Sequence, residues 1–230
     1  MSEDPRFDLG LYALPEAARL ACVPAQTVRN WVHGYSYQAE GKRVRAQQLI
    51  APTAGASALS FVNLMEVVAL AGFRGSGVSM QRVRAAVAFV EQQLEIDHAL
   101  ASYRMLTDGV DLFWAFQERH HDKALVNASR GGQRVFPEAV MRYLREVEWG
   151  QDEVAVRWWP GAKVAGEGTV VVDPNRAFGA PVIAHTGIRI EDVFSRFYAG
   201  EPMAVLADDY GVSVGQIEAA VQVESRILAA

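Results

Sequence analysis

Apolar positions fall into helical spacing early in the chain. Leu14, Ala17, Ala18 and Ala21 share one face, and Pro24 stands where a first-turn proline opens a new helix, so the pattern predicts two short helices joined by a tight turn. On the second of these, Val28, Trp31 and Val32 form the inward stripe, while Gln26, Arg29, Asn30 and His33 follow the i, i+3, i+4, i+7 rule on another, polar face. Gly34 closes that helix. The segment Tyr35 to Ile50, with Gly41-Lys42 near its middle, reads as a hairpin with basic residues at its tip and far strand, and Ala51 to Ala58 as a linker of small residues.

Phe61, Leu64, Met65, Val68 and Ala71 predict an amphipathic helix stopped by the region Gly72 to Gly77, and Ser79 is placed to cap another whose inward residues are Val83, Val87, Val90 and Leu94. Two β-hairpins are expected next. The first turns at Asp108-Gly109 between Tyr103 to Leu106 and Asp111 to Phe116, the second at Arg130-Gly131-Gly132 between Leu125 and Phe136. Pro137 opens a helix through Val147, and Val154 to Trp159 is extended. The last third holds a short strand at Val170 to Val172, a turn rich in glycine and proline, and an extended Pro181 to Ala184. Helices are predicted at Ile190 to Ala199, at Pro202 to Asp209, and from Ser213, where Gln216 three residues on completes a capping-box pattern.

Charge changes the picture more than composition does. The chain of 230 residues carries a net charge of −5, with half its residues hydrophobic, which suits a globular protein and not a disordered one. From Arg19 to Arg45 five basic residues stand against one acid, whereas from Glu167 onward nine acids stand against four arginines. The basic end suits phosphates and the acidic end repels them. No apolar run approaches a membrane span, no basic-then-apolar leader opens the sequence, and the single Cys22 has no partner for an internal disulfide, so a cytoplasmic address is expected.

The run from Ala18 to Trp31, followed by a hairpin of wing length, a helix led by Ser60-Phe61 and another led by Gly75-Ser76-Gly77-Val78-Ser79, resembles the winged helix-turn-helix of MerR-type regulators over about the first ninety-five residues. Cys22 occupies the turn position where such motifs usually carry glycine, because the backbone there often has positive φ. The resemblance implies DNA binding. The residues that would serve it are Gln26, Thr27, Arg29, Asn30 and His33 on the recognition helix, with Arg29 able to hydrogen-bond a guanine edge, and Lys42, Arg43 and Arg45 on the wing, which would neutralise phosphates. Cys22 itself is expected to be a buried structural cysteine.

A second resemblance covers Val170 to Ile227. Gly179-Ala180-Pro181-Val182-Ile183, the turn Ala184 to Gly187, the helix end Ala199-Gly200-Glu201 and the helix pair after it are similar to a small module of VapB-type antitoxins, and joining it to a MerR-like domain resembles one subgroup of them. That implies a PIN-domain ribonuclease toxin as partner, and Arg189, Arg196 and Arg226 are the arginines available to enter its acidic, metal-binding cleft. Gly215, Glu218, Ala219 and Gln222 would form the exposed face of the last helix, where acidity opposes DNA and favours protein.

Enzyme readings fare worse. His120-His121-Asp122 does not recur at ligand spacing, no phosphate-binding loop or nucleophile elbow is present, and Phe113, Trp114, Phe116, Trp158 and Trp159 are explained by packing, so neither catalysis nor a cofactor or metal is expected. The expectation is a mainly helical α+β protein. A winged-helix domain at 1–95, a β-hairpin and helix connector at 96–165 and a helical toxin-binding module at 166–230 would form a homodimer that binds operator DNA and represses its own operon. The alternative is a stand-alone MerR-like regulator that responds to a small effector.

Overall fold

The computed structural model describes residues 4–39, 41–55, 58–75, 79–105, 138–161 and 168–229. The second expected β-hairpin, the Asp108-Gly109 turn and far strand of the first, the aromatics Phe113, Trp114 and Phe116, and His120-His121-Asp122 lie outside them. The architecture is α+β and mainly helical, with three small antiparallel strand pairs.

A short helix α1 (Pro5–Asp8) precedes α2 (Leu14–Leu20) and α3 (Ala25–His33). The turn between α2 and α3 is closed by the Cys22 amide on the Arg19 carbonyl and the Val23 amide on the Ala18 carbonyl, with Cys22 in the left-handed region at φ 54°. The positive φ that glycine usually supplies is thus present, carried by cysteine at a steric cost. Cys22 is exposed and not buried as expected, because its left-handed backbone turns the side chain out of the packing between α2 and α3.

Strand β1 (Tyr35–Ala39) pairs with β2 (Lys42–Ala46) to form the wing. Gly34, at φ 70°, is obligatory at its root: a Cβ there would lie 2.4 Å from the Ala46 carbonyl oxygen. Leu49 and Ile50 then donate back to the Trp31 carbonyl at 2.6 and 3.1 Å, which fastens the wing to α3.

Helix α4 (Phe61–Gly75) is the hub. Sequence periodicity gives it one buried face, yet Val62, Asn63, Glu66 and Val67 are buried as well, while Val68 and Ala71 are only half covered. The reason is that α2, α5 (Met80–Leu94), α6 (Glu138–Glu146) and the short turn Ala99–Ala101 pack around it from several sides. Its buried polar groups are satisfied. Asn63 Nδ2 donates to Ala51 O at 3.0 Å and to Glu66 Oε2 at 2.9 Å, Thr53 N donates to Asn63 Oδ1 at 3.0 Å, and His98 Nδ1 stands 3.1 Å from Glu66 Oε1.

This cluster makes stability depend on pH. His98 titrates above its ordinary 6.5, chiefly through the Glu66 hydrogen bond, with burial opposing and Asp97 and Glu91 assisting. Folding therefore favours the protonated ring, and its stabilisation is complete below pH 6.5 and lost as pH rises through the raised value. Thermal unfolding is expected at a lower temperature at pH 8.5 than at pH 6, and the difference narrows in His98→Gln. An unchanged difference in that variant would remove His98 as the cause.

Ser79 stands at the N-cap of α5, although its side chain makes no capping bond. Of the expected strand Tyr103 to Leu106, Arg104 and Met105 are helical instead: the Tyr103 amide is taken by Glu153 O at 2.7 Å, and Ser102 Oγ accepts from the Arg104 amide as a helix cap does. Strand β3 (Val147–Trp149) pairs with β4 (Ala155–Trp158), and Trp158 bridges on to Val172 beside β5 (Val170–Val171), which pairs with β6 (Val182–Ile183). Helices α7 (Ile190–Tyr198), α8 (Met203–Tyr210) and α9 (Val214–Leu228) complete the chain, and α9 opens with the Ser213/Gln216 capping box that the sequence predicts.

One hydrophobic core runs from Tyr12 to Ile227. Helix α9 leans on α2, where Arg19 Nη1 meets Glu224 Oε1 at 2.9 Å; the Glu224 carboxylate is almost enclosed, and burial pushes its pKa up against the pull of Arg19. Tyr12 Oη donates to Gly179 O at 3.0 Å, a second tie between the two ends of the chain.

Candidate nucleic-acid and partner interfaces

The amphipathic pattern of α3 divides it cleanly. Val28, Trp31 and Val32 are buried, whereas Gln26, Arg29 and His33 are exposed and Asn30 half-exposed. Gln26 Nε2 donates to Asn30 Oδ1 at 2.9 Å, which holds these two side chains together on the outer face beside Arg29. Thr27 does not join them. It is 9% exposed because it lies four residues before Trp31, on the buried stripe, so burial withdraws it from the residues expected at a base edge.

The wing separates its cations. Tyr35 pairs with Ala46, Tyr37 with Val44 and Ala39 with Lys42, while Ser36 pairs with Arg45 and Gln38 with Arg43. Strand alternation therefore puts Arg43 and Arg45 with Ser36 and Gln38 on one exposed polar face, and Lys42 on the other, with Val44 and the ring pair Tyr35–Tyr37, whose centroids are 5.7 Å apart.

The three C-terminal arginines are not brought together and differ in freedom. Arg196 is held at the end of α7 by Glu201 through Nε at 2.9 Å, by Asp209 at 2.6 Å and over the Tyr210 ring, so its charge is already answered within the module. Arg226 lies in the last turn of α9 beside the α2–α3 turn, where its carbonyl oxygen faces the Cys22 thiol at 3.8 Å. Its side chain lines an open cavity of about 420 Å³ with Cys22, Arg142, Glu146 and Trp158. Within that cavity Trp158 Nε1 donates to Glu146 at 3.3 Å, and burial raises the Glu146 pKa; partial desolvation raises that of the exposed Cys22 thiol, against the pull of the Arg226 charge. Arg189, exposed at the N-cap of α7, stands 3.9 Å from Glu191. On α9, Gly215, Glu218 and Gln222 are exposed and Ala219 half-exposed.

The turn Asn175 to Gly179 carries no sequence signal beyond its own glycine and the flanking Pro174 and Pro181. Phe178 at its tip is 88% exposed, the most exposed large hydrophobic side chain among the described residues. The Arg19–Glu224 contact also went unseen, since nothing in either segment signals a partner about two hundred residues away.

A tight helical pair with an exposed polar reading face and a basic wing defines a helix-turn-helix DNA-binding protein. Residues 10–87 match the family described as "Putative DNA-binding HTH domain", and residues 170–222 match "Protein of unknown function (DUF433)". Over 226 residues the chain is 36% identical to "Putative antitoxin VapB45" of Mycobacterium tuberculosis (strain ATCC 25618 / H37Rv), covering 92% of each. It is 27% identical over 229 residues to "Uncharacterized protein Rv2308" of the same strain, covering 96% of this chain and 92% of that one. The X-ray crystal structure of Rv2018 from Mycobacterium tuberculosis superposes with a TM-score of 0.72 at 33% identity, covering 94% of this chain and 99% of that chain. The chain belongs to the VapB-type antitoxin family, as a DNA-binding antitoxin with an N-terminal helix-turn-helix. Among the described residues no helix is long and apolar enough to cross a membrane.

Proposed function

We propose that this antitoxin neutralises a PIN-domain ribonuclease toxin through its C-terminal module, 166–230, and represses its own operon through the N-terminal domain, 1–95, with 96–165 joining them. The observation that carries the reading is the contrast between the two ends. Arg29, Gln26 and Asn30 stand outward beside a cationic wing face, whereas the outer face of α9 presents Glu218 in an acidic segment. Phosphate attraction favours the first surface and opposes the second.

The antitoxin acts in the cytoplasm as a homodimer, because one short helix reads few base pairs and paired half-sites restore specificity. Arg29 reads guanine, Gln26 and Asn30 read adenine as a linked pair, and His33 extends the same face. Neutralisation covers a cleft whose carboxylates hold a metal ion, and an arginine there competes with the metal. Of the three arginines, Arg189 suits this role best, since Arg196 is internally paired and Arg226 faces the α2–α3 turn. A reporter under the antitoxin's own promoter tests the repressor half: the intact protein silences it and Arg29→Ala releases it, while equal expression with and without the protein would contradict autorepression.

Salt dependence separates the wing residues. Each phosphate contact removed by Arg43→Ala or Arg45→Ala is expected to flatten the slope of log K against log salt by about 0.9, and Lys42→Ala, on the opposite face, by less. Anisotropy titrations from low to high salt measure the slopes. Equal effects from all three changes would show that the wing does not present one face to DNA.

A further inference from the structure

We propose that the turn Asn175 to Gly179 is the anchor by which the antitoxin grips its toxin, with Phe178 filling an apolar socket and Arg176 meeting carboxylates at the socket's rim. The proposal rests on the toxin-neutralising reading above and gives that reading a contact surface.

The turn is built at a conformational cost and serves no packing of its own tip. Ala177, Phe178 and Gly179 all have positive φ, at 46°, 54° and 76°, although only the third is glycine. Non-glycine residues stay in that region only where their surroundings impose it. Here the surroundings do so from both ends. Asp173, buried at the foot of the turn, accepts from the Asn175 amide at 2.9 Å and from Arg157 Nε at 2.8 Å, and its carbonyl takes the Arg176 amide at 3.0 Å. At the other end Gly179 donates to Arg176 O at 2.8 Å and accepts from Tyr12 Oη, and a Cβ on Gly179 would lie 2.3 Å from that same oxygen.

Such a scaffold holds a phenyl ring out in water, where it gains nothing from the fold. A turn whose backbone is already fixed spares the cost of ordering that segment when a partner encloses its aromatic tip, as preorganised interface anchors do. Charge says which partner. Asp173 is already taken by Arg157, so the Arg176 guanidinium, half-exposed, reaches it only at 3.9 Å and remains available to another carboxylate. Arg189, whose backbone bridges to Val182 three residues past the turn, is exposed as well. A ribonuclease that holds a divalent cation must group carboxylates around it, and the rim of such a cleft is complementary to the exposed Arg176 guanidinium beside the ring.

The test uses the full-length protein and its toxin, purified, with Phe178→Gly, Phe178→Ala and Arg176→Ala. Both Phe178 changes are expected to weaken toxin binding by about 30-fold or more, as loss of an interface anchor does, and Arg176→Ala by a smaller factor. Phe178→Gly melts no lower than the parent, since glycine suits the left-handed backbone, and all three variants bind operator DNA as before. Phe178 variants that hold the toxin as tightly as the parent overturn the anchor and leave the antitoxin reading intact. Variants that change self-association while keeping toxin affinity overturn it too, and assign the turn to a second copy of this chain. A parent protein that binds no toxin removes both readings.

Discussion

Trp31→Ala is expected to cost about 3–5 kcal/mol of stability, the range for deleting a large buried aromatic, and to abolish DNA binding with it. Trp31 is 3% exposed, at the centre of the stripe that presses α3 against α2, and its carbonyl receives both Leu49 and Ile50 amides from the end of the wing. Removing the indole opens a cavity at the point where helix, wing and hub meet. A loss of this size is a large fraction of a typical domain's stability, so the variant should melt well below the parent and take the outer face of α3 with it. Chemical denaturation followed by tryptophan fluorescence and circular dichroism measures it. A loss under about 1 kcal/mol would mean that the helix-turn-helix does not depend on this packing.

Arg29→Ala is the complementary experiment, two residues away on the same helix. Arg29 is exposed on the outer face, so its truncation should leave the melting temperature unchanged and weaken specific operator binding by about 5- to 150-fold, the value of one bidentate base contact. Binding to unrelated DNA should fall less, since phosphates supply most of that affinity. Taken together, the two variants separate a residue that holds the reading helix from one that reads. If Arg29→Ala bound the operator as tightly and as selectively as the parent, α3 would not be the recognition helix.

Periodicity made much of this legible. Val28, Trp31 and Val32 are buried as their spacing requires, the wing turns where Gly41-Lys42 suggests, and Ser213 with Gln216 caps α9. These are local features, decided by residues a few positions apart. What the sequence hid depends on neighbours remote along the chain. Val68 and Ala71 lose cover, and Asn63 and Glu66 gain it, because α6 and the Ala99–Ala101 turn come to rest on α4 from some distance away in sequence. Thr27 is polar by type and belongs by type with the exposed residues, but its position one turn before Trp31 puts it inside.

The arginines teach the same lesson. Arg196 looks available in the sequence until Glu201 and Asp209 fold onto it, and Arg226 looks like a chain end until α9 docks beside Cys22. Phe178 was invisible for another reason. Two consecutive non-glycine residues in the left-handed region carry no sequence signal, because they are imposed by Asp173, Arg157 and Tyr12 and not by their own preferences.

Whether this chain disarms a ribonuclease toxin is decided by expressing the neighbouring reading frame alone and then together with this protein, following growth, and purifying the pair. Growth arrest that this chain relieves, with a stable complex whose ribonuclease activity is suppressed, is the predicted result. A neighbour that is harmless when expressed alone and does not co-purify would mean that this chain does not neutralise a toxin encoded beside it.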